Sequence, residues 1–163
     1  MFRPLSTLLV LLFGLAFAAP AHAACTAGNP NANVVESTPT SAFTVNSSAG
    51  TVTHALTGLT WKQCSQGQSG AACQSTGTAG NNYGATTMTW SAALASAVAD
   101  TTDGGGWRLP NKKELESIVE TCGYSPSINQ TVFPATVASV YWSASSYVPD
   151  PAFAWGVFFN VGI

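Results

Sequence analysis

The chain has 163 residues, of which 7% are charged and 46% are hydrophobic. This length suits one domain with a sizeable core. If residues 1–23 are set aside, four basic residues face seven acidic ones, which gives a formal charge of −3. Because nucleic acids and other polyanions need a concentrated basic surface, this composition argues against both kinds of partner.

The first 23 residues have the features of a secretory signal peptide. Arg3 precedes the apolar run 8–19, and the small-residue site Ala21-His22-Ala23 predicts cleavage after that alanine. The run is short for a bilayer span, so we expect no membrane span after cleavage. The histidine also disfavours a lipid anchor on Cys25, because a lipoprotein signal prefers leucine there. We expect export to the periplasm, the cell surface or the medium.

The next segment, residues 24–49, is rich in Asn, Ser, Thr, Pro and Ala and lacks apolar periodicity. This pattern predicts a flexible N-terminal arm, with the folded domain over residues 50–163. Within that domain, the β-favouring stretches 51–53 and 59–61 flank the turn-like residues 55–58. They predict an antiparallel hairpin.

Four cysteines follow the signal segment, and an exported chain meets an oxidising compartment. Cys64 and Cys73 bracket a stretch of Gly, Ser and Gln, and of the three possible pairing schemes we predict the one that joins them. Cys25 and Cys122 then pair by default, although Cys25 could be free or intermolecular. The spacings match no zinc site, so we expect neither a metal nor a cofactor.

Two helices are predicted. Thr89 can cap the first, in which five apolar residues recur with the helical period, and the segment 100–106 ends it. The second begins after Pro110, with Asn111 as the cap and Glu114 completing a capping box. The predicted inner residues are Trp90, Ala93, Leu94, Ala97 and Val98 in the first helix and Leu115, Ile118, Val119 and Cys122 in the second, whereas Lys112, Lys113, Glu116 and Glu120 should be solvated.

After the second helix, residues 123–139 carry prolines and turn formers and predict a long irregular loop. The stretches 141–143 and 153–161 are rich in aromatic and β-branched residues and predict strands. The pattern indicates an α+β domain with two helices, a small and mostly antiparallel sheet and long loops.

The segment that begins Trp107-Arg108-Leu109-Pro110 and continues to Glu114 and Leu115 resembles the core motif of a bacterial family. That family is named after the C-terminal domain of the Legionella collagen-like adhesin. Other segments occur in the family's order, namely residues 50–53, 57–62, 90–94, 133–134, 141–145 (with Trp142) and 154–160. The resemblance covers residues 50–163 and implies a secreted, C-type-lectin-like domain associated with adhesion or carbohydrate contact. The expected partner is a glycan or a cell-surface protein, and the expected domain is non-catalytic.

The resemblance also implies a final strand beyond the segment 154–163. We therefore expect a C-terminally truncated domain that lacks this strand, and an unpaired edge on the hairpin around residues 57–62. A strand-donating partner or a second copy of the chain would complete the sheet.

All five tryptophans are predicted to lie in the core, and replacing Trp107 by alanine is expected to unfold the domain. Arg108 is expected to pair internally, with Asp103 as one candidate. Candidate ligand contacts are expected in the irregular segments instead, at Tyr124, Asn129, Tyr147 and Asp150.

No catalytic residues are predicted. His54 is the one imidazole outside the signal segment, and no nucleophile-elbow motif accompanies it. The resemblance relates the architecture to formylglycine-generating enzymes, but their late cysteine pair has no counterpart after Cys122. The alternative to a ligand-binding module is a structural or assembly domain of an exported complex.

Overall fold

The computed structural model describes residues 34–75, 83–150 and 153–163. It confirms an α+β domain with two helices and two small antiparallel sheets. Residues 1–33, which include the signal segment and Cys25, lie outside the described residues, as do residues 76–82 and 151–152. In chain order the elements are β1 (Phe43–Asn46), β2 (Thr51–His54), β3 (Thr60–Lys62), α1 (Trp90–Ala99), α2 (Lys112–Glu116), β4 (Val140–Ser146) and β5 (Ala154–Phe158).

The first sheet contains the predicted hairpin. β2 and β3 pair antiparallel, with Val52 opposite Trp61. β1 adds a third strand on the other side of β2, with Val45 opposite Val52. The expectation of a flexible arm is therefore wrong for residues 43–46. Backbone pairing with β2, which the polar composition of this segment did not indicate, holds them in the fold.

The second sheet pairs β4 with β5, and Tyr141 lies opposite Val157. The strand predicted over residues 153–161 is shorter, because the chain turns after Phe158. The amides of Val161 and Gly162 both donate to the Phe158 carbonyl oxygen, at 3.2 and 2.8 Å. Residues 123–139 form no helix or strand, as predicted.

Both helices begin where their caps predict. The Thr89 hydroxyl accepts from the amide of Ala92, and Asn111 and Glu114 form the predicted capping box. The apolar face of α1 is narrower than expected, because only Ala93 is buried and Val98 is 75% exposed. α1 therefore contributes little to the core.

The core lies between the two sheets and the segment that begins with α2. α2 ends at Glu116, earlier than the apolar periodicity suggests, yet Leu115, Ile118, Val119 and Cys122 are all buried as predicted. Phe43, Trp61 and Tyr141 pack against this cluster from its margin. The buried cluster comprises Val52, Leu115, Ile118, Val119, Ile128, Val132, Phe133, Val157 and Phe159.

Glu120, predicted to be solvated, is instead 3% exposed. Its carboxylate accepts hydrogen bonds from the backbone amides of Ser37, Thr38 and Cys122, at 2.9, 2.8 and 3.1 Å. It also accepts from the side-chain hydroxyls of Ser37 and Thr38. These bonds satisfy the charge in place of water. Glu120 thus fastens the segment before β1 to the core.

The predicted disulfide between Cys64 and Cys73 is confirmed. Cys122 is also disulfide-bonded. The prediction for Cys25 lies outside the described residues.

Replacing Cys64 and Cys73 together by serine should lower the free energy of unfolding by about 2–3 kcal/mol, because the bond closes a loop of about ten residues. Urea unfolding of the oxidised proteins would measure this loss. A double variant as stable as the native protein would show that the loop is ordered without its disulfide.

Arg108 pairs with Glu114 and not with Asp103. Its two terminal nitrogens contact the two carboxylate oxygens at 2.7 Å each, in a bidentate arrangement. The same carboxylate accepts from the amide of Asn111, so one side chain serves both the ion pair and the helix cap. The helix start thereby fixes the arginine.

The tryptophans are less buried than predicted. Trp61, Trp90, Trp107 and Trp142 are half-buried, and Trp155 is 45% exposed. The indole N–H of Trp107 donates to the Thr102 carbonyl oxygen at 2.6 Å, which fixes the ring beside the glycine-rich turn. Because Trp107 is not fully buried, the structure does not support the expectation that its loss must unfold the domain.

Candidate functional site

Three side chains form an exposed group that we call the aromatic platform: Tyr147, Trp155 and Lys112. The centroids of the two rings are 5.4 Å apart and their planes meet at 75°, an edge-to-face arrangement. Lys112 Nζ lies 5.5 Å from the centroid of the Trp155 ring. Trp155 is 45% exposed and Tyr147 is 39% exposed, so both rings present surface to solvent.

Backbone hydrogen bonds hold the platform in place. Trp155 lies on β5, and Tyr147 directly follows β4. The amide of Tyr147 donates to the Phe153 carbonyl oxygen at 2.8 Å, and the amide of Phe153 donates to the Asp150 carbonyl oxygen at 3.0 Å. The two rings are therefore fixed at the end of the second sheet.

Lys112 reaches the platform because α2 is tied to β4. Its amide donates to the Ser145 hydroxyl at 3.0 Å, and its ammonium pairs with Glu116 one helical turn later, at 2.5 Å. The lysine thus brings a charged group and a carboxylate to the edge of an aromatic surface. Stacking surfaces with polar groups beside them suit ligands that have both apolar faces and hydroxyls.

The structure places two of the four predicted contact residues at or beside this site. Tyr147 belongs to the platform, and Asp150 lies exposed in the turn that carries it. Tyr124 is 58% exposed, but within the described ranges no hydrogen bond or ring contact joins it to the platform.

Asn129 is 3% exposed and has a structural role. Its amide nitrogen donates to the Thr38 carbonyl oxygen and to the Thr40 hydroxyl, both at 3.0 Å. Its oxygen accepts from the amide of Thr131 at 3.0 Å. Because these bonds use both ends of the side chain, the expectation of a ligand contact at Asn129 does not fit its position.

Trp155 and Lys112 were missed as site residues. Trp155 alternates with Val157, which is fully buried, so the strand pattern predicts an inward-facing tryptophan. The helical pattern predicts that Lys112 is an ordinary solvated residue. The sequence carries no signal that could have paired them, because their proximity depends on how α2 docks against β4.

A second feature is a cavity of about 850 Å³ between β3, α1, the segment 105–110 and β4. Trp61, Trp107 and Trp142 contribute to its wall. The indole N–H groups of the last two are bonded to carbonyl oxygens, whereas Trp61 Nε1 is buried and has no partner among the described residues. The volume lies within the usual range of ligand sites.

Two ion pairs and Asp103 contribute the charges of this wall. Burial alone would raise the pKa of Asp100, but hydrogen bonds from Lys62 and Thr102 outweigh it and lower that pKa to about 2. The hydrogen bonds from Arg108 and from the amide of Asn111 lower the pKa of Glu114 to about 2. Both carboxylates are therefore ionised and paired at neutral pH, which suits a fixed wall better than proton transfer.

His54 has a structural position. Its ring stacks on Phe43 with centroids 4.6 Å apart, and Nδ1 lies 3.2 Å from the Thr57 hydroxyl. Burial lowers the pKa of this imidazole. In the ranges that the structure describes, no three His, Cys, Asp or Glu side chains are placed to hold a metal ion.

Comparison with known proteins agrees with the sequence motifs. No curated protein and no solved structure matches the chain. The family model of the Lcl C-terminal domain matches residues 50–163, which include β2, β3, both helices, β4 and β5. The chain therefore belongs to the Lcl C-terminal domain family.

Proposed function

We propose that this protein is an exported, non-catalytic binding module that contacts carbohydrate through the aromatic platform. The observation that carries the proposal is the exposure of Trp155 beside Tyr147 at a fixed end of the second sheet. Membership of an adhesin-type family supports binding to a surface molecule. The lectin-like architecture stays a prediction.

Carbohydrate suits the chemistry of the platform. A sugar ring offers a C–H face to an aromatic ring and hydroxyls to the groups around it. Lys112, Glu116 and Asp150 supply such groups. Because Lys112 is already paired with Glu116 and the charge outside the signal segment is −3, a neutral glycan suits the site better than a sulfated one.

Export is supported by the disulfides. The Cys64–Cys73 bond and the bonded state of Cys122 are typical of oxidising compartments. The signal segment predicted over residues 1–23 agrees with export. In the part of the chain that the structure describes, no helix is long and apolar enough to cross a bilayer.

The test is an array of neutral and sulfated glycans, probed with the oxidised protein and with Trp155→Ala. We expect the native protein to bind a neutral glycan and the variant to bind it at least about fivefold more weakly, because stacking on one aromatic ring accounts for about 1 kcal/mol or more. Trp155→Phe should retain part of the binding, since it keeps a stacking surface.

Tyr124→Ala is the matched control, because it removes an aromatic ring that is 58% exposed outside the platform. It should bind like the native protein. Undiminished binding by Trp155→Ala would place the glycan elsewhere, and absence of glycan binding by the native protein would refute the proposed function.

A further inference from the structure

β3 is an outer strand of the first sheet. The amide of His54 donates to the Leu59 carbonyl oxygen, and the amide of Gln63 donates to the Gly50 carbonyl oxygen. Along an antiparallel strand, the backbone hydrogen-bonding groups of successive residues point to alternate sides. The backbone groups of Trp61 therefore also face β2, whereas the amide and carbonyl groups of Thr60 and Lys62 point away from β2. In the described ranges these groups meet no backbone partner.

A second unpaired stretch of backbone borders the same cavity. Gly106, Trp107 and Arg108 line the cavity that β3 also lines. None of these three residues forms a backbone hydrogen bond with another described residue. Two segments around one cavity, the edge of β3 and residues 106–108, therefore carry backbone groups without a backbone partner in the described part of the chain.

Apart from Asp103, the charged side chains that line the cavity form ion pairs. The ammonium of Lys62 is paired with Asp100, and Arg108 is paired with Glu114. Aromatic rings form much of the remaining wall, including Trp61, whose buried N–H lacks a partner among the described residues. An occupant should therefore be uncharged, with apolar side chains and hydrogen-bonding groups of its own.

From these observations we propose that the cavity accepts an extended, uncharged segment of a partner protein, which adds as a β-strand to the outer edge of β3. Unpaired amide and carbonyl groups that alternate along a strand match another extended backbone. Alternate apolar side chains of the added strand would enter the cavity, since successive side chains point to opposite faces. This site is separate from the aromatic platform and does not depend on glycan binding.

The probe is the uncharged peptide acetyl-Gln-Thr-Val-Thr-Val-Thr-Gln-amide, titrated into the oxidised protein and followed by residue-resolved amide hydrogen exchange. We expect exchange at the amides of Thr60 and Lys62 to slow by about tenfold or more at saturation. The amide of Val45, which faces outward on the opposite edge at β1, should not change. A peptide with proline at the central position should not bind, because it lacks the amide that pairs with the edge.

Three variants distinguish the contribution of the backbone edge to peptide binding from that of the side chains. Thr60→Pro removes the outward amide while leaving the bonds to β2, and it should weaken peptide binding by about tenfold. Thr60→Val keeps the amide and should bind normally. Val45→Pro, the matched change on the β1 edge, should also bind normally.

Several results would overturn the proposal. One is peptide binding that leaves the Thr60 and Lys62 amides unprotected, which the native protein alone can reveal even if Thr60→Pro fails to fold. Another is self-association that protects both amides without peptide, because the occupant would then be a second copy. Saturable binding of a small saccharide that protects them would equally exclude a partner strand.

Discussion

Replacing Phe159 by alanine should lower the free energy of unfolding by about 3–5 kcal/mol, out of a total of about 5–15 kcal/mol for a domain of this kind. Phe159 is 1% exposed and packs edge-to-face on Tyr141, with ring centroids 5.2 Å apart. Its loss leaves a void in the core between the sheets. Urea unfolding of the oxidised protein measures the change.

Phe158→Ala is the matched control, because the same ring is removed one residue earlier, where it is 45% exposed. We expect this variant to lose much less stability. Equal and small losses in the two variants would mean that Phe159 does not anchor the core.

The second large effect is expected at Glu120. Replacing it by alanine removes the acceptor for the amides of Ser37, Thr38 and Cys122 and leaves the donors of the two buried residues, Thr38 and Cys122, unpaired. Each unpaired donor costs about 1–3 kcal/mol, although some will regain water as the first segment loosens. We expect a total loss of about 3 kcal/mol or more, together with faster amide exchange at Ser37 and Thr38.

The same carboxylate predicts a dependence on pH. Burial by itself would raise the pKa of Glu120, but the hydrogen bonds from Ser37, Cys122 and Thr38 outweigh it, and the net effect lowers that pKa below its usual value of 4.5. Because the folded pKa is lower than the unfolded one, Glu120 stabilises the fold above pH 4.5. This contribution disappears as the pH falls through the folded pKa.

The pKa values of Asp100 and Glu114 are also lowered, so these groups contribute to the same pH dependence. The decisive measurement is therefore the difference in stability between variants. In Glu120→Gln, the free energy of unfolding should depend less on pH below pH 5 than it does in the native protein. Glu116→Gln is the matched control, because it makes the same change at an exposed glutamate in the same region. Identical profiles for all three proteins would contradict the role of Glu120.

Local sequence determined much of the framework. Thr89 and Asn111 cap their helices because the cap and its acceptor or donor lie within three residues of each other. The β2–β3 hairpin and the Cys64–Cys73 loop likewise depend on short stretches of chain. The motif that begins at Trp107 also indicated the family, which the match over residues 50–163 confirms.

Other features depend on residues far apart in the chain, and the tertiary structure decided them. The helical period predicts that Glu120 is solvated, but it is buried against Ser37 and Thr38. No local pattern indicates this, because these two partners lie more than 80 positions away. The polar composition of residues 24–49 suggested an arm, yet the pairing of β1 with β2 recruits part of it.

The aromatic platform shows the same limit most clearly. Strand alternation places Trp155 with buried Val157, yet Trp155 is 45% exposed and lies where the pairing of β4 with β5 is irregular. Periodicity reports which way a side chain points, whereas exposure depends on whether another element covers it. The sequence therefore indicated most of the elements and the family, whereas the packing of α2 and the two sheets decided which side chains a ligand can reach.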